Sequence, residues 1–223
     1  MHQEKNKRIF IYFLLFLILG TTHNYLLKEA NFLKLENIKV IGLEKNENDK
    51  IKESLLFLNL KSLVFIKKYE INEILKSNSL VETYSVFRKF PSTLEVRIKK
   101  TNILANTLKN NIIYQIGSNG KLIETDKKKD DLPFVFGSFK NHEFLELKKI
   151  IDESKLEYQN IKNIYFFNSG RWDIETHDNI LIKLPLKKII NSLNISKNLI
   201  LNENFKNLKI IDLRVENQVI LNE

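Results

Sequence analysis

The side chains that could do chemistry in this chain are few and poorly spaced for it. The four histidines are His2, His23, His142 and His177. Zinc needs three or four convergent ligands, and no two of these imidazoles stand at a ligand spacing. There is no cysteine, which excludes disulfides, thiolate ligands and a cysteine nucleophile. No Gly-x-Ser-x-Gly elbow, Walker loop or dinucleotide fingerprint occurs. The adjacent acids Asp130-Asp131 and Asp152-Glu153 lie in polar contexts and read as solvated surface. A catalytic carboxylate pair far apart in sequence is the acid–base arrangement that spacing alone leaves open. Trp172, the only tryptophan, sits on a strand beside aliphatic residues and reads as a core anchor. Asp212 and Arg214 flank Leu213 on a strand, so they share a face. They read as a structural pair, or as the pair that orders the final turn. No catalytic, cofactor-binding or metal-binding residue is predicted, and no small-molecule substrate.

The chain has 223 residues and a formal charge of +9. Basic charge can serve nucleic acid or an acidic surface. The densest run, Lys127-Lys128-Lys129, is bracketed by Asp126, Asp130 and Asp131, which largely cancel its field. Gly117-Ser118-Asn119-Gly120 has the Gly-x-x-Gly spacing that can clamp a nucleic-acid backbone, but that use needs flanking helices. Strand-like runs flank it here, Ile112 to Ile116 and Lys121 to Ile123, so it reads as a hairpin turn. No nucleic-acid partner is predicted.

The elements that must carry any function fall into three parts. Ile9 to Leu27 has no charged residue, and Ile9 to Leu19 is continuously apolar. Nineteen helical residues would span roughly 28 Å, close to the thickness of a bilayer core. Lys5, Lys7 and Arg8 precede it, and positive flanks stay cytoplasmic. The segment is predicted to be a transmembrane helix with its amino end inside. A cleaved signal peptide is the alternative, with Gly20-Thr21-Thr22 near the cleavage point. Tyr25, Leu26 and Leu27 continue the apolar character beyond it and favour an uncleaved anchor.

Residues 31–101 read as β-α-α-β-β. Ile38 and Val40 alternate on a short strand that Gly42 ends. Asn46 or Asn48 is placed to cap a helix carrying Ile51, Leu55 and Leu58. Ser62 to Ile66 is a short apolar connection, and Ile71, Ile74 and Leu75 mark a second helix that Asn78-Ser79 breaks. Val81 to Ile98 reads as two strands around Phe90-Pro91, with Leu94, Val96 and Ile98 facing one way.

Residues 102–223 are β-rich. Besides the 112–123 hairpin, they hold an apolar run at Leu132 to Gly137 and a helix with Phe144, Leu147, Ile150 and Ile151. Strands follow at Ile164–Phe167, Arg171–Ile174 and Ile180–Pro185. A further helix is predicted through Leu186, Ile189, Ile190, Leu193 and Leu199. Two strands close the chain, Ile210–Arg214 and Gln218–Leu221.

These segments, in this order, resemble the FtsQ (DivIB) family of bacterial cell-division proteins. Ile38-Lys39-Val40-Ile41-Gly42, Ser62 to Ile66 and Arg88 to Val96 are similar to its POTRA domain. Tyr114 to Gly120, Leu132-Pro133, Arg171-Trp172-Asp173, Leu184-Pro185 and Ile211-Asp212-Leu213-Arg214 are similar to its β-domain. Lys100 to Ala105 departs from the family's usual glutamate and proline at the joint.

The resemblance implies an α+β protein with a cytoplasmic tail at 1–8, a single transmembrane helix at 9–27, a POTRA domain at 31–101 and a β-domain at 102–223. The β-domain is expected to have an open sheet edge and packed helices. The resemblance further implies a non-enzymatic scaffold in the bacterial inner membrane, at the division septum, with its carboxyl-terminal domains in the periplasm. It would link early and late division proteins by binding FtsB and FtsL, among other divisome partners. By position from the Asp-Leu-Arg motif, the FtsB contact is Val215, Glu216, Asn217, Gln218, Val219, Ile220 and Leu221. A terminal strand leaves unpaired backbone groups that can accept a partner strand. The rival readings are a POTRA-bearing assembly or chaperone protein and an anchored envelope enzyme.

Overall fold

The computed structural model describes residues 2–21, 34–205, 207–215 and 218–222. It divides into two compact units, residues 1–77 with 84–99, and residues 78–83 with 100–223.

The first element, α1, runs His2–Thr21. It starts within the stretch predicted as a tail, and the predicted anchor residues 22–27 lie outside the described residues. Ile9 to Leu19 are all exposed apolar side chains. The opening turns of α1 are polar and charged, and among the described residues no helix is long and apolar enough to cross a membrane.

The rest of the first unit follows the predicted order. Strand β1 (Asn37–Ile41), helix α2 (Lys45–Ser54), a 3₁₀ turn (Leu56–Leu60) and helix α3 (Lys68–Ser77) lead into β2 (Val81–Lys89) and β3 (Thr93–Lys100). The sheet order is β1-β3-β2, with β1 parallel to β3. Gly42 ends β1 at φ 118°, and a Cβ there would fall 1.8 Å from the carbonyl oxygen of Ile98. Only glycine fits that approach.

The cap of α2 differs from expectation. It is Glu44, whose N–H donates to Glu47 Oε2 at 3.2 Å. Asn46 lies inside the helix, and Asn48 is occupied with both polar groups of Leu43. The helix break is as predicted: the Leu80 N–H donates to Asn78 Oδ1 at 2.9 Å. Leu35, Leu55, Leu58, Leu63, Leu75, Leu94 and Val96 form the buried interior.

Glu95 departs from the polar-face expectation. It is 2% exposed, because Lys89 and Arg97 fold over it. Hydrogen bonds from Lys89 and then Arg97 hold its carboxyl below the usual range.

The second unit is built on a nine-stranded mixed sheet. Its strands are β4 (Ile103–Lys109), β5 (Ile112–Gly117), β6 (Leu122–Glu124), β7 (Phe134–Phe136), β8 (Ile161–Phe166), β9 (Trp172–Thr176), β10 (Leu181–Lys183), β11 (Ile210–Asp212) and β12 (Ile220–Asn222). The spatial order is β12-β11-β10-β9-β8-β7-β4-β5-β6. Helix α4 (Asn141–Glu153) is the crossover between parallel β7 and β8, and α5 (Ile189–Ile200) between parallel β10 and β11. Parallel neighbours need such crossovers.

Phe144, Leu147 and Ile151 of α4, and Leu193 of α5, share a core with Ala105, Ile116, Val135, Ile164, Ile174, Ile182 and Ile211. Leu186, predicted on α5, precedes it and is exposed. Pro185 and the left-handed backbone of Lys188 delay the helix start.

Candidate functional site

The residues first considered for chemistry are used structurally. His142 and His177 are exposed. His23 and the side chain of His2 lie outside the described residues. Among the described residues no three His, Cys, Asp or Glu side chains gather as a metal site. Asp130, Asp131, Asp152 and Glu153 are all on the surface.

The Gly-x-x-Gly turn is a hairpin turn, as read. Asn119 Nδ2 donates to the carbonyls of Ser79 and Val81 at 2.9 and 3.0 Å. Ser118 Oγ donates to Glu82 Oε2 at 2.8 Å. Those bonds consume the loop's polar groups within its own unit. Trp172 is 5% exposed, with its ring centroid 4.6 Å from Phe166 and 5.7 Å from Phe139.

The feature left for function is the carboxyl-terminal side of the large sheet. Among the described residues strand β12 has β11 as its one neighbour, so it is the outermost strand of the described sheet. In an antiparallel pair, alternate residues turn their N–H and C=O away from the partner strand. The outer side of β12 therefore presents backbone groups that no strand of this sheet takes up.

Register explains the faces. Ile174, Ile182, Ile211 and Leu221 align across β9 to β12, and the first three are fully buried. The next row, Asp173, Lys183, Asp212 and Ile220, points to the opposite face.

At this end of the strands lies a groove of about 850 Å³. One wall is α5 with Asn191, Ser192 and Ile195, and Leu213, Arg214, Val215, Gln218 and Val219 line the other side. Leu186, Ile195, Val215 and Val219 give it exposed apolar surface. Among the described residues its charged lining is Arg171, Lys187, Lys188 and Arg214.

Two of those cations are held in place from below. Arg214 makes a forked contact with Asp212, Nε to Oδ1 at 2.9 Å and an η nitrogen to Oδ2 at 2.6 Å. Its own N–H adds a bond to Oδ1 at 3.1 Å. These hydrogen bonds hold the Asp212 carboxyl below the usual range despite its partial burial. Arg171 Nε lies 3.1 Å from Asp173 Oδ1, and its guanidinium stacks 4.4 Å from the Phe167 ring centroid. Asp173 and Asp212 lie on strands β9 and β11, whereas Arg171 precedes β9 and Arg214 follows β11, beyond the strand that was expected to run to Arg214, so each carboxylate anchors an arginine just outside its strand.

The predicted contact stretch is only partly a strand. Val215 forms a bend, and Gln218 and Val219 line the groove before β12 begins. Ile220 and Leu221 belong to β12, which continues to Asn222. Glu216 and Asn217 lie outside the described residues. Of the orientation charges, Lys7 and Arg8 are exposed on α1, and the Lys5 side chain lies outside the described residues. Sequence reading did not bring Arg171, Lys187, Lys188 and Ile195 to this groove. Their signal was Arg171-Trp172-Asp173 as a motif, without a partner element to pair it with.

The two units are thus an α+β POTRA domain and a β-rich domain of mixed sheet. The family model described as POTRA domain, FtsQ-type, matches residues 33–100. The model described as cell division protein FtsQ/DivIB, C-terminal, matches residues 105–214. The chain belongs to the FtsQ/DivIB family of cell-division proteins.

It is 27% identical over 195 residues to a cell division protein FtsQ from Rickettsia bellii, covering 83% of this chain and 70% of that one. It is 27% identical over 133 residues to a cell division protein DivIB from Streptococcus gordonii, covering 58% of this chain and a third (33%) of that one. The solved extracytoplasmic domain of DivIB from Geobacillus stearothermophilus is similar at 14% identity and a TM-score of 0.34. That likeness covers 43% of this chain and 87% of that one.

Proposed function

We infer that this chain is a non-enzymatic, membrane-anchored scaffold of the divisome, and that it binds FtsB, and FtsL with it, at the carboxyl-terminal sheet edge. The observation that carries this reading is the position of β12 as the outermost strand, beside an apolar and cationic groove. An extended partner segment adds to β12 through main-chain hydrogen bonds, which depend little on side-chain identity. Its flanking side chains reach the groove. Apolar ones meet Ile195 and Val219, and acidic ones meet Arg171 and Arg214. The contact is therefore Gln218 to Asn222 with the groove walls, narrower along the chain than Val215 to Leu221 and wider across the sheet.

Anchoring rests on Ile9 to Leu19, whose side chains are all exposed, and on the preceding Lys5, Lys7 and Arg8. Positive residues on that side keep it cytoplasmic and place both units across the inner membrane, at the septum where its partners act.

The test is site-specific photocrosslinking in dividing cells from Val219, Ile220 and Asn222, against positions on β6 at the opposite sheet edge. Adducts with FtsB from the first set alone are expected. Adducts from both edges alike, or from β6 only, would place the partner elsewhere.

A further inference from the structure

The first unit exposes a second apolar surface. Leu56, Phe57, Leu60, Val64, Phe65 and Tyr69 are all exposed, Leu60 at 86% and Phe65 at 64%. Between Leu55 and Tyr69 the charged residues are Lys61, Lys67 and Lys68, of which Lys61 pairs with the adjoining Glu70.

Hydrogen bonds fix where this surface sits in the unit. The Leu35 N–H donates to the Lys61 carbonyl at 3.2 Å, and Lys34 bridges to Ser62. The Glu36 N–H donates to the Ser92 carbonyl at 2.9 Å, in the turn that also exposes Phe90 at 64%. An η nitrogen of Arg88 donates to the Ile66 carbonyl at 2.6 Å. Leu60, Val64, Phe65 and Phe90 therefore gather at the end of the three-stranded sheet where the chain arrives from α1.

Twelve residues, 22–33, separate α1 from Lys34. Even fully extended they reach no more than roughly 43 Å. A bilayer holding α1 is within range of this end of the domain. Exposed aromatic and aliphatic side chains ringed by lysine are the chemistry of an interfacial contact with anionic headgroups.

We propose that the anchor-proximal end of the POTRA unit is itself a membrane-contact surface, seating Leu60, Val64, Phe65 and Phe90 in an anionic bilayer interface. Lys34, Lys67 and Lys68 meet lipid phosphates around them. This rests on α1 being embedded, and it holds the unit against the lipid rather than leaving it on a free tether.

The chain lacks cysteine, so single cysteines are unique labelling sites. Full-length protein carrying L60C, F65C, K99C or F13C is labelled with an environment-sensitive fluorophore. It is then reconstituted in phosphatidylglycerol–phosphatidylethanolamine vesicles containing nitroxide-labelled lipid. Lys99 is the control, exposed at the opposite end of β3.

Lipid-borne quenching at L60C and F65C is expected to exceed that at K99C by about twofold or more, and to fall by a similar factor in neutral phosphatidylcholine vesicles. F13C should be quenched by nitroxide at the bilayer centre in both. Quenching at L60C and F65C equal to K99C, with F13C still quenched, overturns the proposal and leaves the anchor standing. An unquenched F13C overturns the anchor and this proposal together. Equal quenching in both lipid mixtures overturns the anionic contact. A protein crosslink at L60C without lipid quenching reassigns the surface to a protein partner.

Discussion

Asp212 and Arg214 show how a buried carboxylate can aim a guanidinium at the edge of a groove. Asp212 is nearly buried and bonded by three groups of Arg214, so the guanidinium is held at the groove's edge. The folded carboxyl titrates lower than it would in an unfolded chain. Such a group contributes stability that is fully present above its unfolded pKa and is lost as pH falls through the folded one. Asp212→Asn should cost about 0.5–1 kcal/mol at neutral pH, small because Arg214 is half exposed. It should also flatten the loss of stability below about pH 4. Urea titrations from pH 7 down to pH 3 would measure this. An unchanged acid limb in the variant would show that Asp212 does not contribute to it. Glu175 adds to the same limb, since hydrogen bonds from Asn163 and then Tyr165 lower its pKa.

At the scale of elements, interiors were readable and polar burial was not. Period two on Leu94, Val96 and Ile98, and helical spacing at Phe144, Leu147 and Ile151, report directly which face meets the core. Leu94→Ala, at a fully buried site, should therefore destabilise the first unit by about 2–5 kcal/mol in denaturant unfolding, and a loss under about 1 kcal/mol would contradict that packing.

Strand β4 was not predicted, because Asn106 and Thr107 break its apolar pattern. Asn106 is 1% exposed and bonds the carbonyls of Lys129 and Leu132, a partnership 23 or more residues away that spacing does not encode. The groove was illegible for the same reason. It exists only where α5 and the segment after β11 come together. The edge position of β12 comes from the sheet order. The strand's length was not legible, because Gln218 and Val219 keep strand-like residue types outside the ladder.

Ile220→Pro and Leu221→Pro separate the edge from its scaffold. One removes an N–H that faces β11 and the other an N–H that faces outward. The outward one should keep the fold by circular dichroism and weaken binding of a synthetic FtsB peptide at least about tenfold, the weight of one lost hydrogen bond with a steric clash. Wild-type binding by both folded variants would exclude this edge.

On the scale of the whole molecule, each unit carries its own exposed surface. The proposed topology rests on the charges Lys5, Lys7 and Arg8. Cysteine introduced at exposed Asn202 should react with an impermeant maleimide in intact spheroplasts, and cysteine at Lys7 should not. Reaction at Lys7 alone would invert the assigned orientation. Removing the final strand from Gln218 onward should leave Leu213 and Ile211 partly uncovered without unmaking α4 or β8. The truncated chain should therefore still reach the membrane, and fail at partner capture.

The three strands at the β12 end of the sheet, β10, β11 and β12, are each three residues long, against six in β8. Short ladders open more readily than long ones, so the edge sits at the labile end of the sheet's opening spectrum. Amide hydrogens of Ile210 to Asp212 should exchange faster than those of Ile161 to Phe166 in the free protein. An added strand would slow both β11 and β12, and this protection would extend inward past any residue the partner touches. Deuterium uptake with and without the FtsB peptide measures it directly, and unchanged uptake in β11 would mean that the guest strand does not tighten its host.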